Sequence, residues 1–179
     1  TELSNPLTAA TYLTDTYSSY VWTNNAPKAT LGDSWYEYDS TTGTYSVKKG
    51  NLDDITANPD VVIASTFNGK PVTGIQDSAF ANTGLTSITI PSTITSIGIV
   101  AFRNTGLTNI AIPGSVTSIG GGAFIECSSL ISVTIPSSVK SISDNPFNDC
   151  YNLSTIIVDD GNAVYTSKDA EGNQCNRGT

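Results

Sequence analysis

Apolar residues return along the middle of this chain with a period near 22. Phe80, Phe102, Phe124 and Phe147 are separated by 22, 22 and 23 residues, and Leu85, Leu107, Leu130 and Leu153 by 22, 23 and 23. One unit reads Ile97, Phe102, Leu107, Ile110, Ile112, Val116, and the next reads Ile119, Phe124, Leu130, Val133, Ile135, Val139. A single unit cannot bury six such side chains, so the pattern predicts stacked coils in which like covers like at the strand spacing of about 4.7–4.9 Å. The Leu-x-x-Ile-x-Ile stretches are rich in β-branched residues and predict short parallel strands ended by Pro91, Pro113 and Pro136, since proline cannot donate to a ladder. Between the apolar positions lie two rows of mostly hydroxylated residues: Ser87, Asn109, Ser132, Thr155 and Thr89, Ala111, Thr134, Ile157.

The lengthening from 22 to 23 residues can be placed. Phe to Leu is five residues in the first two units and six in the next two, so the insertion falls where Thr-Gly gives way to Cys-Ser-Ser and Cys-Tyr-Asn.

The repeated pattern Ile-Gly-x-x-Ala-Phe, a turn, then Leu-x-x-Ile-x-Ile-Pro-x-x-Val-x-x-Ile-Gly resembles the BspA-type leucine-rich repeat over about residues 61–158. Residues 61–75 are similar to the opening coil of that family, with Ala64 where the strand would end in Pro; the last unit departs at Asp144-Asn145-Pro146, where Gly-x-Ala is usual. The resemblance implies a mostly β leucine-rich-repeat solenoid of about four to five coils with short parallel strands. It further implies display outside a cell, adhesion or protein contact, and no catalytic residues to carry over. Residues 159–177 also resemble a family segment that opens a further hairpin, so 159–179 reads as a tail or incomplete repeat.

Residues 1–55 have a different composition. They hold both Trp, six of the eight Tyr and no Phe, which predicts an aromatic-rich N-terminal cap of helix, β-hairpin or both, followed by the solenoid at 56–158. Leu7, Ala10, Leu13, Tyr17 and Tyr20 recur at helical spacing behind Asn5 and Pro6. Residues 34–38 and 45–48 flank the turn Asp39-Ser40-Thr41-Thr42-Gly43-Thr44 as a hairpin would. Residues 26–36 bear a short likeness to segments of phage-tail and other fibrous proteins.

Charge and composition then exclude classes of function. Sixteen acids against eight bases give a net charge of −8, the wrong sign for a nucleic-acid footprint. The absence of His removes the commonest general base and metal ligand, which argues against an enzyme and against a metal or other cofactor. No apolar run is long enough to span a membrane, and the chain opens at Thr1 without a leader pattern, as a mature or trimmed exported protein would. Residues 61–157 carry four acids and three bases, so the excess charge belongs to the two ends.

Three cysteines are present. Cys127 and Cys150 hold the same place in adjacent units, where Thr83 and Thr105 stand earlier. Stacked one coil apart they would suit a disulfide or, with side chains running parallel, a buried thiol ladder; Cys175 is then odd. For a binding or assembly surface the candidates are the two hydroxylated rows (Ser87, Thr89, Asn109, Ser132, Thr134, Thr155) and the cap aromatics Trp22, Trp35, Tyr36 and Tyr38. Asp159, Asp160, Asp169 and Glu171 are a weaker set for calcium, being spaced as no EF-hand loop is. The expected partner is a protein or a cell-surface polysaccharide; the rival reading is a structural subunit of an extracellular filament or phage-like surface assembly, its copies meeting through the N-terminal segment and the open C-terminal coil.

Overall fold

The structure, a computed structural model, describes residues 29–165. The helix expected near residues 6–20, Trp22, Asp169, Glu171 and Cys175 lie outside the described residues. Strand β1 (Ala29–Thr30) is followed by a 3-10 turn at Asp33–Trp35, then by the hairpin β2 (Tyr36–Asp39) and β3 (Thr44–Val47). A one-and-a-half-turn helix α1 (Leu52–Ala57), capped where the Asn51 side chain accepts from the Asp53 N–H, leads into β4 (Asp60–Val62), β5 (Thr66–Phe67) and β6 (Lys70–Ile75). Each later coil supplies two short strands: β7 (Ser87–Thr89) and β8 (Ser96–Ile97), β9 (Asn109–Ala111) and β10 (Ser118–Ile119), β11 (Ser132–Ile135) and β12 (Ser141–Ile142), then β13 (Thr155–Val158). The result is a solenoid of about five turns.

The predicted strands are present. β4 pairs in parallel with β1 and β7, and β11 in parallel with β9 and β13. A second ladder, β6, β8, β10 and β12, runs along the other side of the coil with Gly74↔Ser96, Ser96↔Ser118 and Ser118↔Ser141 in register. Sequence reasoning gave Ile97 and Ile119 to the core but no strand to their segments. The hairpin joins this second sheet, because β3 pairs in parallel with β6. Between the ladders, Pro91, Pro113 and Pro136 turn the chain, each carbonyl accepting from the N–H three residues on (Ile94, Val116, Val139) at 3.0–3.1 Å.

The Ala-Phe corner is also hydrogen-bonded from coil to coil. The N–H of Phe80, Phe102 and Phe124 donates to Ala101, Ala123 and Pro146 of the following coil at 2.7–2.8 Å. Pro146 can therefore replace Ala, because the neighbouring coil needs only its carbonyl. Each corner is made by a pair of left-handed residues: Ser78, Val100, Gly122 and Asn145 precede Phe by two, while Asn82, Asn104, Glu126 and Asp149 follow it by two, all with φ between 46 and 62°. Asn145 meets that need in the unit that departs from Gly-x-Ala. The repeated Ile-Gly has its own cause: a Cβ on Gly98 would lie 2.5 Å from the Asp77 N, and one on Gly120 2.5 Å from the Gly98 C. Successive coils touch backbone to backbone there.

Inside, Phe80, Phe102 and Phe124 are fully buried and stack face to face at 5.3 Å with planes 2° apart. Phe147 continues the stack at 5.5 Å from Phe124. At the other end the ring above Phe80 is Trp35, at 5.2 Å and 17°.

Candidate interaction surfaces

The two rows read from the sequence exist as rows. Asn109, Ser132 and Thr155 are in register across β9, β11 and β13, as are Ala111, Thr134 and Ile157. The Ser132 hydroxyl lies 3.1 Å from Asn109 Oδ1 as its donor. Ser87 and Thr89 stand on β7, which belongs to a separate sheet with β1 and β4, in register with Asp60 and Val62 of β4. Thr89, Asn109 and Thr155 are exposed, while Ser87, Ser132 and Thr134 are half-buried. Alternation along each strand places Ile88, Ile110 and Val133 inward and these small groups outward.

Two of the aromatic candidates are not on the surface. Trp35 is 0% exposed, its indole N–H donating to Asp54 Oδ2 at 2.9 Å. Gly50 lies against its ring, where a Cβ would meet indole carbons at 2.4–2.6 Å. The residue is buried because the Phe stack needs an end. Tyr36 is buried as well: its ring stacks on Phe67 at 4.3 Å and its hydroxyl accepts from the Ala64 N–H. That burial raises the Tyr36 pKa. Tyr38, one pleat further along β2, is 43% exposed. Its neighbours Tyr45, Phe67 and Lys70 went unnoticed in the sequence, since their meeting depends on β3 and β5 both lying beside β6.

Cys127 and Cys150 are free, buried thiols in this structure. Each donates to the carbonyl of the preceding coil's Phe, Cys127 to Phe102 and Cys150 to Phe124, at 3.0 Å. Parallel side chains in a stack point the same way, which is why the thiols ladder instead of bonding. They extend a file of hydroxyls: Thr83 and Thr105 donate to the Phe carbonyl of their own coil, and Thr105 Oγ1 lies 3.3 Å from Cys127 Sγ. Burial raises both thiol pKa values, that of Cys150 to about 11. The extra residue of these units closes in a turn, Leu130 and Leu153 donating back to the Cys127 and Cys150 carbonyls.

Past β13 the chain is fastened to the last coil. Asn162 donates to Pro136 O at 2.9 Å and accepts from the N–H groups of Val164 and Tyr165, while the Tyr165 hydroxyl accepts from Ile142 N–H. Asp159 and Asp160 lie exposed at this turn, and no group of three or more ligating side chains forms among the described residues. No helix among the described residues is long and apolar enough to cross a membrane. Burial declines in the last coil: Phe147 and Leu153 are only partly buried and Ile156 is 46% exposed, where Phe124, Leu130 and Val133 are at most 1% exposed.

The chain's relatives share this architecture. A solved leucine-rich repeat protein from Bacteroides capillosus ATCC 29799 is 28% identical, with a TM-score of 0.62 over 72% of this chain and 97% of that one. One from Eubacterium ventriosum ATCC 27560 is 37% identical, with a TM-score of 0.51 over 57% of this chain and 26% of that one. The T. pallidum leucine rich repeat protein TpLRR, 23% identical with a TM-score of 0.57 over 72% of this chain and 71% of that one, shares the fold. No curated protein matches significantly. The family profile described as BspA type leucine rich repeat region matches residues 63–170 in six copies, where the periodicity alone picks out four units and an opening one. That span is more than half of the 179 residues; with the stacked rings and paired ladders it covers, the chain belongs to the BspA-type leucine-rich-repeat family.

Proposed function

We propose that this chain is a non-enzymatic, extracellular recognition module, displayed at a cell surface and working in adhesion or protein–protein contact. The observation that carries the reading is the outward face of β9, β11 and β13, where mostly small polar side chains stand in register on one sheet. Such a face has little side-chain entropy to lose on binding and can meet a broad partner without rearranging. The family's repeat scaffold and the lack of His support a role in binding over one in chemistry. Beads carrying the full chain, offered to cultured cells and to immobilised extracellular-matrix proteins, should adhere saturably, and Asn109→Arg with Thr134→Arg should weaken adhesion at least tenfold. Absence of adhesion, or adhesion indifferent to that pair, would overturn the reading.

The loss of burial at Phe147, Leu153 and Ile156 favours a second reading, end-on association with another copy. In that case light scattering shows a mass that rises with concentration and falls back to the monomer on Ile156→Lys; a monomer at all concentrations dismisses it.

A further inference from the structure

Phe80, Phe102, Phe124 and Phe147 lie in the inner stack, but a separate strip of aromatics runs outward at the N-terminal side of the second sheet. Tyr36 stacks on Phe67, Tyr45 meets Phe67 edge-on at 5.0 Å, and Tyr38 lies 5.1 Å from Tyr45, its partner across the hairpin. The strip grades from buried Tyr36 through half-buried Tyr45 and Phe67 to exposed Tyr38. Polar groups rim its open end. The Lys70 ammonium stands over one face of the Tyr38 ring, 5.0 Å from its centre, and the Asn68 amide donates to the Tyr45 hydroxyl at 3.4 Å.

The hairpin that carries Tyr38 and Tyr45 is held in place. Asp39 closes the β2–β3 turn, accepting from the Thr41 N–H at 2.8 Å, from the Thr41 hydroxyl and from the Thr42 hydroxyl at 2.9 Å. Glu37 is engaged by Gln76 at 2.7 Å and by Lys48 at 3.7 Å. The carboxylates beside the strip therefore already have partners, and the groups at its open end are rings, hydroxyls, an amide and an ammonium. That combination matches a sugar ring, whose apolar C–H face lies on an aromatic face while its equatorial hydroxyls take donors at the edge.

We propose that the Tyr38–Tyr45–Phe67 strip, with Lys70 and Asn68 at its rim, is a polysaccharide-binding platform. The proposal rests on the surface-recognition reading above and names one ligand class for it. Native gels cast with a mixed-linkage β-glucan, a xylan, a galactomannan or a polygalacturonate test it, using the full chain. At least one polymer should retard the parent protein; Tyr38→Ala should weaken that retardation at least tenfold and Lys70→Ala about threefold. Tyr151→Ala removes an exposed ring far along the chain, on the last coil, and should change nothing. Thermal unfolding of each variant separates lost binding from lost fold. No retardation by any of the four polymers, or full retardation of a folded Tyr38→Ala, overturns the platform. Cell adhesion that survives without polysaccharide binding would sink the platform and leave the recognition module standing; loss of both would sink both.

Discussion

The indole of Trp35 lies on the ring of Phe80, centroids 5.2 Å apart and planes 17° apart, closing a stack that runs through Phe102 and Phe124 to Phe147. A repeat that buries its rings only against neighbouring repeats leaves an unpaired ring at each end. Here the first ring is covered by a residue from outside the repeats. The indole N–H must then find a partner inside, and Asp54 of α1 provides it. The hairpin, helix and solenoid thus share one core.

Trp35→Ala should cost about 3–5 kcal/mol, as truncation of a fully buried aromatic does. Trp35→Phe should keep the stack, lose the bond to Asp54 and cost less, about 1–3 kcal/mol. Urea unfolding of the two variants checks the order; equal losses would mean that the stack on Phe80 adds nothing.

The corners predict a stabilising change. Val100 is β-branched and sits at φ 46°, a conformation that costs an ordinary residue about 1–2 kcal/mol and that Asn tolerates better. Val100→Asn, copying Asn145 of the last unit, should raise stability by about 1 kcal/mol. Gly120→Ala should lower it by about 1–3 kcal/mol, because its Cβ would enter the backbone of the coil beneath. Thermal unfolding reads both signs.

These two positions show where sequence reading reached and where it stopped. The period of Phe and Leu gave the coils, the strands before Pro91 and Pro136, and the rows that pair Asn109 with Ser132 and Ser132 with Thr155. It missed the ladder of β8, β10 and β12, whose strands are two-residue Ser-Ile pairs, too short for any alternation to register. It missed the left-handed corners because Ser78, Val100, Gly122 and Asn145 share a backbone angle and no chemistry. It offered Trp35 and Tyr36 as candidates for a binding surface while noting that a cap usually buries such rings, and it could not single them out as buried, since their burial depends on Phe80 and Phe67, 45 and 31 residues away.

The thiols give a pH dependence. With Cys175 replaced by Ser, a chromogenic disulfide reagent should find Cys127 and Cys150 silent in the folded protein and count two thiols after denaturation. Rapid reaction when folded, or none when unfolded, would contradict the buried free thiols. Folded Cys150 keeps its proton to about 11, against an ordinary 9.0 when unfolded. Between those values the unfolded chain holds fewer protons, so stability is intact below pH 9 and falls as pH rises toward 11. Cys150→Val should remove that part of the decline.

The central claim is that the coils are held by like stacked on like, with Phe102 in the middle. Equilibrium urea unfolding of Phe102→Ala tests it most directly. The stack predicts a loss of about 3–5 kcal/mol from the cavity left between Phe80 and Phe124; a loss below about 1 kcal/mol would contradict it.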